Sequence, residues 1–337
     1  MNRLDTPTRR RRALGRLALL LAAATGAVTI AGPARAADFP TKPVRILTPF
    51  PPGSGPETAL RLVAEKLQRR WGQPVIVENR PGANGFIAID AFKRGATDGT
   101  DLIQLDNVHL AAYPHLFKKL PYDAARDFEP LAPLFRAYFF VTVAAGSPYK
   151  TVGDILDDAR AHPGQLNYGS WSVGNPVHLG TALLEALSGT QMQHVVYKET
   201  SLLYSGVASG ELKFALGTMA TAGALQRAGK LKFIAITAPR RQPAFPDVPT
   251  VAESRGPEGY EVSGWTSIAA PRGLPKTVTD KLQQDIQSAL AEPDIRERYV
   301  TLGYDAFPTT REQFTAFIAA ESAKYADVVR RAKVSLD

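Results

Sequence analysis

The chain has 337 residues, 45% of them hydrophobic, with a formal net charge of +8 and no cysteine. The first 36 residues hold seven arginines against one acid, Asp5, so the remainder is left near +2. That balance argues against a nucleic-acid or anionic-membrane partner, and the missing cysteines exclude disulfides, thiolate metal sites and a lipid-modified N-terminal cysteine.

The N-terminal segment reads as an address. The basic block Arg9 to Arg12 leads into an apolar run from Leu17 to Ile30, and Ala34-Arg35-Ala36 supplies the small residues of a cleavage site, so cleavage after Ala36 and export to the periplasm are expected. A span needs about 20 apolar residues, and this run is shorter and broken by Thr25, Gly26 and Thr29. Arg11-Arg12-Ala13-Leu14 also resembles a twin-arginine signal, which leaves the Sec and Tat routes both open.

Beyond Ala36, short apolar runs alternate with helical patterns. Residues 43–50 read as a strand ending in PPGSGPE, after which Leu60, Val63, Ala64, Leu67 and Trp71 share a helical stripe. Strands over 74–78 and 101–105 with a helix over 86–92 continue the rhythm of a parallel βαβ sheet. The pattern restarts with an aromatic and β-branched run over 138–144. A helix over 151–161 then opens with Thr151 and Asp154 at capping-box spacing. Strands over 166–168, 193–197, 212–216 and 231–237, with helices over 177–187 and 201–208, suffice for a second α/β lobe. After a Pro-rich connection over 239–249 come a strand over 260–269 and helices over 276–291, 293–300 and 310–332. About 300 residues suit two domains of ordinary size.

Three turns gather polar groups between a strand and a helix. Pro51-Pro52-Gly53-Ser54-Gly55-Pro56-Glu57 offers backbone N–H groups at a helix start, which hold a carboxylate without an arginine; Thr58 stands where a dinucleotide fingerprint has its third glycine. Ser170-Trp171-Ser172-Val173-Gly174-Asn175-Pro176 collects hydroxyls and an amide, with His178 in the following helical turn and Trp171 as an apolar wall. Around Ser172 it also reads as a nucleophile elbow, but Ser170 replaces the first glycine, the only histidines that follow are His178 and His194, and the only acid between Ser172 and His194 is Glu185, in the middle of a helix. The third turn, Tyr197-Lys198-Glu199-Thr200-Ser201, supplies hydroxyl N-caps. No two of the five histidines have the spacing of a helical metal site.

Taken together, FPTKPVRILTPFPPGSG, WGQPVIVENRPGANG, KKLPYDAARDFEPL, PGQLNYGS, GNPVHL, VVYKE, AGKLKFIAIT, FPDVPTVAES and GWTSIAAPRGLP resemble the substrate-binding receptors of tripartite tricarboxylate transporters, the Bug family, along essentially the whole chain after the signal. The resemblance implies an α/β, two-lobed periplasmic-binding-protein fold of type II with the ligand cleft between the lobes. Lobe 1 is expected over 38–138 plus 242–337 and lobe 2 over 139–241. It implies a monomeric receptor, not an enzyme and without cofactor or metal, that captures a small mono-, di- or aromatic carboxylate and delivers it to the large and small membrane subunits of a transporter. Carried over by position, Gly53, Ser54, Gly55 and Pro56 line the first lobe with Asp106 and Asn107. Ser170, Trp171, Ser172, Val173, Asn175, His178, Thr200, Ser201 and Thr218 line the second.

The chain departs from the family pattern at five positions. Ser54, Pro56 and Glu57 stand where the first loop has a glycine, a hydroxyl residue and an aspartate; Glu199 replaces glycine, and Gly217 an often-found aspartate. Glu199 is expected to alter ligand choice, by repelling a second carboxylate or pairing with an amine. The alternatives are a receptor serving a signalling kinase and a secreted serine hydrolase using Ser172.

Overall fold

The computed structural model describes residues 39–332 and 334–336; the expected signal segment and its cleavage point lie outside the described residues. Two five-stranded mixed sheets organise the chain. The first holds β1 (Val44–Thr48), β2 (Val75–Asn79), β3 (Asp101–Asp106), β4 (Phe128–Tyr138) and β10 (Ser263–Pro271) in the order β2-β1-β3-β10-β4. The second holds β5 (Phe140–Ala144), β6 (Asn167–Ser170), β7 (Gln193–Val196), β8 (Phe214–Gly217) and β9 (Leu231–Ile236) in the order β7-β6-β8-β5-β9. In each sheet the strand that arrives from the other one, β10 or β5, lies antiparallel to both neighbours. The remaining pairings are parallel, as βαβ crossovers require.

Helices cover the sheets. In the first lobe these are α1 (Gly55–Trp71), α2 (Phe86–Lys93) and the short turns α3 (Tyr113–Leu116) and α4 (Ala124–Asp127). The second has α5 (Val152–Ala161), α6 (Pro176–Ser188), α7 (Thr200–Ser209) and α8 (Met219–Arg227). The chain ends in α9 (Lys276–Leu290), α10 (Pro293–Leu302) and α11 (Arg311–Ala332). Leu60, Val63, Ala64 and Leu67 on α1 are buried, as their stripe predicts, while Trp71 is half-buried and donates to Asp285. The box at Thr151 and Asp154 closes in both directions.

Besides the short turns α3 and α4, the strand β4 and the helix α8 escape the sequence reading. β4 carries Pro130 and Pro133, which argue against a strand; it tolerates them because it is the edge of its sheet and pairs with β10 through two register shifts. α8 is short and rich in alanine, glycine and threonine, without an apolar stripe of helical period.

The sheets are joined at a narrow waist. β4 passes to β5 through Phe139 alone, and the return strand leaves β9 at Thr237. Thr237 N–H donates to Phe139 O (2.8 Å), Phe139 N–H donates to Thr237 Oγ1 (2.9 Å), and that hydroxyl donates to Val262 O (2.6 Å). Val262 N–H in turn donates to Thr237 O at 3.1 Å. One buried threonine therefore ties both crossovers. A second bridge is apolar: Leu179 on α6 packs in a cluster with Val108, Leu116 and Tyr325, and Leu336 joins it.

Candidate functional site

The three polar turns all leave the carboxyl ends of parallel strands, β1, β6 and β7, where open α/β sheets bind ligands. The turns differ in whether their donors are free or already engaged.

In the first loop, Glu57 is buried and folds back so that its carboxylate accepts from Gly53 N–H at 3.0 Å, from Asn79 Nδ2 at 3.4 Å and from Arg61. Ser54 Oγ donates to Pro51 O (2.8 Å) and does not cap α1. The loop's exit is fixed by a buried chain in which Thr48 Oγ1 donates to Gln104 Oε1 (2.7 Å) and Gln104 Nε2 donates to Pro56 O (2.8 Å). Because Pro56 has no N–H and the first intrahelical bond is Thr58 N–H to Ser54 O, the amides of Gly55 and Glu57 head α1 without an intrahelical acceptor.

Gly55 also faces the other lobe. A Cβ added there would lie 3.8 Å from Ala220 Cβ at the start of α8 and would overlap the hydroxyl of Tyr304. Next to this contact, Met219 lies 3.4 Å from where a Cβ of Gly303 would sit. The N-terminus of α8 is capped by Thr218, whose Oγ1 accepts from Thr221 N–H, leaving the Met219 and Ala220 amides as first-turn donors. Gly217 is buried, and a Cβ there would meet Tyr204 (2.9 Å) and Ala222 (3.1 Å), so Tyr204 fills the space an aspartate side chain would need.

Asp106 and Asn107 are engaged internally. Asp106 accepts from Val108 N–H (3.1 Å) and His109 N–H (3.2 Å) and pairs with the His109 ring, which reaches Asn84 O at 3.1 Å. Asn107, 1% exposed, donates to Ser263 O (3.3 Å) and to the Tyr325 hydroxyl (2.5 Å).

The turn after β6 is satisfied within itself. Asn175 Oδ1 accepts from Val177 N–H (2.8 Å) and His178 N–H (3.1 Å), Pro176 has no N–H, and Gly174 N–H donates to His178 Nδ1 (3.0 Å). Nothing in the first turn of α6 is left for an anion. Asn175 Nδ2 holds Ser170 Oγ at 2.9 Å and Ser172 O, and the fully buried Ser170 hydroxyl sits 2.7 Å from His194 Nε2. Ser172 Oγ meets Asn175 Nδ2 at 3.4 Å, with no histidine beside it among the described residues. The elbow reading therefore lacks its base at Ser172, while the serine that does touch a histidine is closed to substrate.

Below this turn the His178 and His194 rings stack at 4.1 Å. Burial, then His194, pulls His178 down to about 4, so its ring stays neutral and accepts from Gly174. Burial likewise pushes Glu185 up to about 7, against one opposing bond from Met192 N–H. Trp171 is half-buried and packs against both clusters of its lobe, while Val173 and Leu202 are exposed.

At α7 the preceding residue is Glu199, whose side chain makes no capping bond, so Thr200, Ser201 and Leu202 present their amides ahead of the first helical bond, Leu203 N–H to Glu199 O. Unengaged donors thus sit at α1, α7 and α8. Sequence reasoning missed Tyr304 and the α8 amides; Tyr304 is almost 250 residues from its partner Gly55, and no local motif marks it. No group of three or more metal-ligating side chains occurs among the described residues. Two hollows lie near the C-terminal helix and the waist, the second of them lined in part by Tyr304. One, of about 530 Å3, lies between α11 and residues 110–130; another, of about 390 Å3, lies at the waist behind Tyr304, lined by Tyr138, Phe140, Phe245 and Val300.

Residues 59–334 match the family described as the tripartite tricarboxylate transporter family receptor. The chain belongs to this family. Among its relatives, BugT of Bordetella pertussis is 29% identical over 308 residues, covering 91% of this chain and 94% of BugT. A Cupriavidus necator protein encoded in the gbd 5' region is 30% identical over 308 residues, covering 90% and 92%. Two solved structures superpose along nearly their full length. R. palustris Rpa4515 with adipate has a TM-score of 0.80 at 26% identity, covering 88% of this chain and 99% of that one. MatC from Rhodopseudomonas palustris with bound malate has 0.76 at 28% identity, covering 86% and 100%. The fold is therefore the two-lobed periplasmic-binding-protein fold, and the chain is a member of a family of solute-binding receptors.

Proposed function

We propose that this receptor is exported to the periplasm by a signal peptide cleaved after Ala36, captures a small carboxylate by closing its lobes, and hands it to the large and small membrane subunits of a tripartite transporter. In this reading the chain crosses between the lobes at Phe139 and returns at Val262, since Thr250 pairs beside Ile236 and Val251, Tyr260 and Val262 pack with the core of the second lobe. The observation that carries the reading is the meeting of two helix N-termini from opposite lobes, α1 at Gly55 and α8 at Ala220. Each carries about half a positive charge. They repel across an empty gap and attract across one that holds an anion, so a carboxylate favours the closed form. Relatives solved with adipate and malate support the same ligand class.

Within this reading Gly53, Ser54, Gly55 and Pro56 shape the first-lobe wall, and Thr200, Ser201 and Thr218 the second. Ser170, Asn175, His178 and the Asp106–Asn107 pair hold the walls in place. Trp171, Ser172 and Val173 flank the ligand. Glu199, at the mouth of α7, disfavours a second carboxylate on the ligand.

A thermal-shift screen of residues 37–337 against carboxylates, amino acids, sugars and metals tests it. A ligand at 100 times its dissociation constant adds roughly 2.7 kcal/mol. A response confined to carboxylates supports the reading; a response confined to sugars or metals removes it.

A further inference from the structure

We propose that Tyr304 is a ligand-binding residue, its hydroxyl joining the first-turn amides of α1 and α8 to grip one carboxylate from both lobes. The inference rests on the carboxylate-receptor reading above and names the grip that reading leaves open.

Tyr304 is only 6% exposed, and no hydrogen bond engages its hydroxyl among the described residues. The oxygen is the accessible tip of an otherwise buried ring, so its donor is open to a ligand. Its ring is fixed: it stacks on Phe135 at 3.9 Å and 6°, Tyr304 N–H donates to Tyr299 O (2.9 Å), and the next residue pairs with the edge of β4 through Asp305 N–H to Arg136 O (2.7 Å). So mounted, the hydroxyl points at the head of α1, where only a glycine leaves room for it. Burial pushes its pKa up to about 12, which keeps the phenol protonated and a donor at any physiological pH. A fixed donor between two helix N-termini suits the carboxylate class, and no cationic side chain is needed.

Tyr304→Phe removes the hydroxyl and keeps the ring stack. Titration calorimetry with malate, adipate, benzoate and the other mono- and dicarboxylates of two to eight carbons, on the wild type and the variant, reads the effect. The expected result is a roughly 10- to 100-fold weaker affinity for the bound carboxylate, with the ligand-free melting temperature unchanged or slightly raised. A merely structural hydroxyl would lower that melting temperature and leave affinity alone. A second arm uses Gly55→Ala, which is expected to destabilise the wild type more than the Tyr304→Phe background, because the clash is with the hydroxyl. Equal affinities in wild type and Tyr304→Phe overturn this role and leave the receptor reading standing. A wild type that binds none of the panel removes both.

Discussion

The turn after β6 and the meeting of α1 with α8 make opposite use of similar ingredients. The first has two serines, an asparagine, a histidine and a helix start, and nearly all its donors are engaged within the turn. The second has two glycines, a proline and an alanine, and its amides and one phenol hydroxyl are unengaged. Polar residues are thus poor markers of an anion site when they cap the helix they precede, because the cap consumes the donors that the ligand needs. The poorer sequence makes the better anion hole.

The difference can be broken at several points. The largest effect is expected at the waist both regions depend on: Thr237→Val strips Phe139 N–H and Val262 O of their buried partner and should cost about 3 kcal/mol in denaturant unfolding. Next, Asn175→Ala uncaps α6 and should cost about 2 kcal/mol, while carboxylate affinity changes less than about threefold if the turn is scaffold rather than ligand site. A tenfold loss of affinity without loss of stability would reverse the assignment of the two regions. Third, Glu199→Gly removes a charge beside the α7 amides, and dicarboxylates should gain about fivefold over monocarboxylates in competition titration. An unchanged ligand profile would mean that Glu199 is only a solvated charge.

The smallest effect is in pH. Glu185 is raised from 4.5 to about 7, so its contribution to stability is complete below pH 4.5 and is lost as pH rises through 7. His178 is lowered from 6.5 to about 4, so its contribution is complete above pH 6.5 and is lost as pH falls through 4. The two slopes oppose each other between pH 4.5 and 6.5, and above 6.5 the glutamate acts alone. Glu185→Gln should therefore flatten the fall in melting temperature between pH 6.5 and 7.5, by a degree or two at most given its partial exposure. A wild-type curve that rises across that interval would contradict it.

Much of the fold was legible because strands and long helices declare themselves by local period: the α1 stripe, the Thr151 box and the short apolar strands all lie where the sequence puts them. β4 was hidden by prolines that only an edge position excuses, and α8 by a composition without a stripe. The site was legible as a set of loops at strand ends but not as chemistry. Whether Asn175 offers its amide to a ligand or to Val177 and His178 is a matter of rotamer, and Tyr304 reaches Gly55 only through the fold. The same holds for Gly217, which reads as a lost acidic residue until Tyr204 is seen in its place.

A crystal structure of the receptor with the tightest-binding carboxylate of the panel would test the central claim most directly. The account predicts one carboxylate group within hydrogen-bond distance of the Gly55 amide, the Tyr304 hydroxyl and the first turn of α8. A carboxylate seated wholly on residues 170–178, with Asn175 swung away from the head of α6, would contradict it.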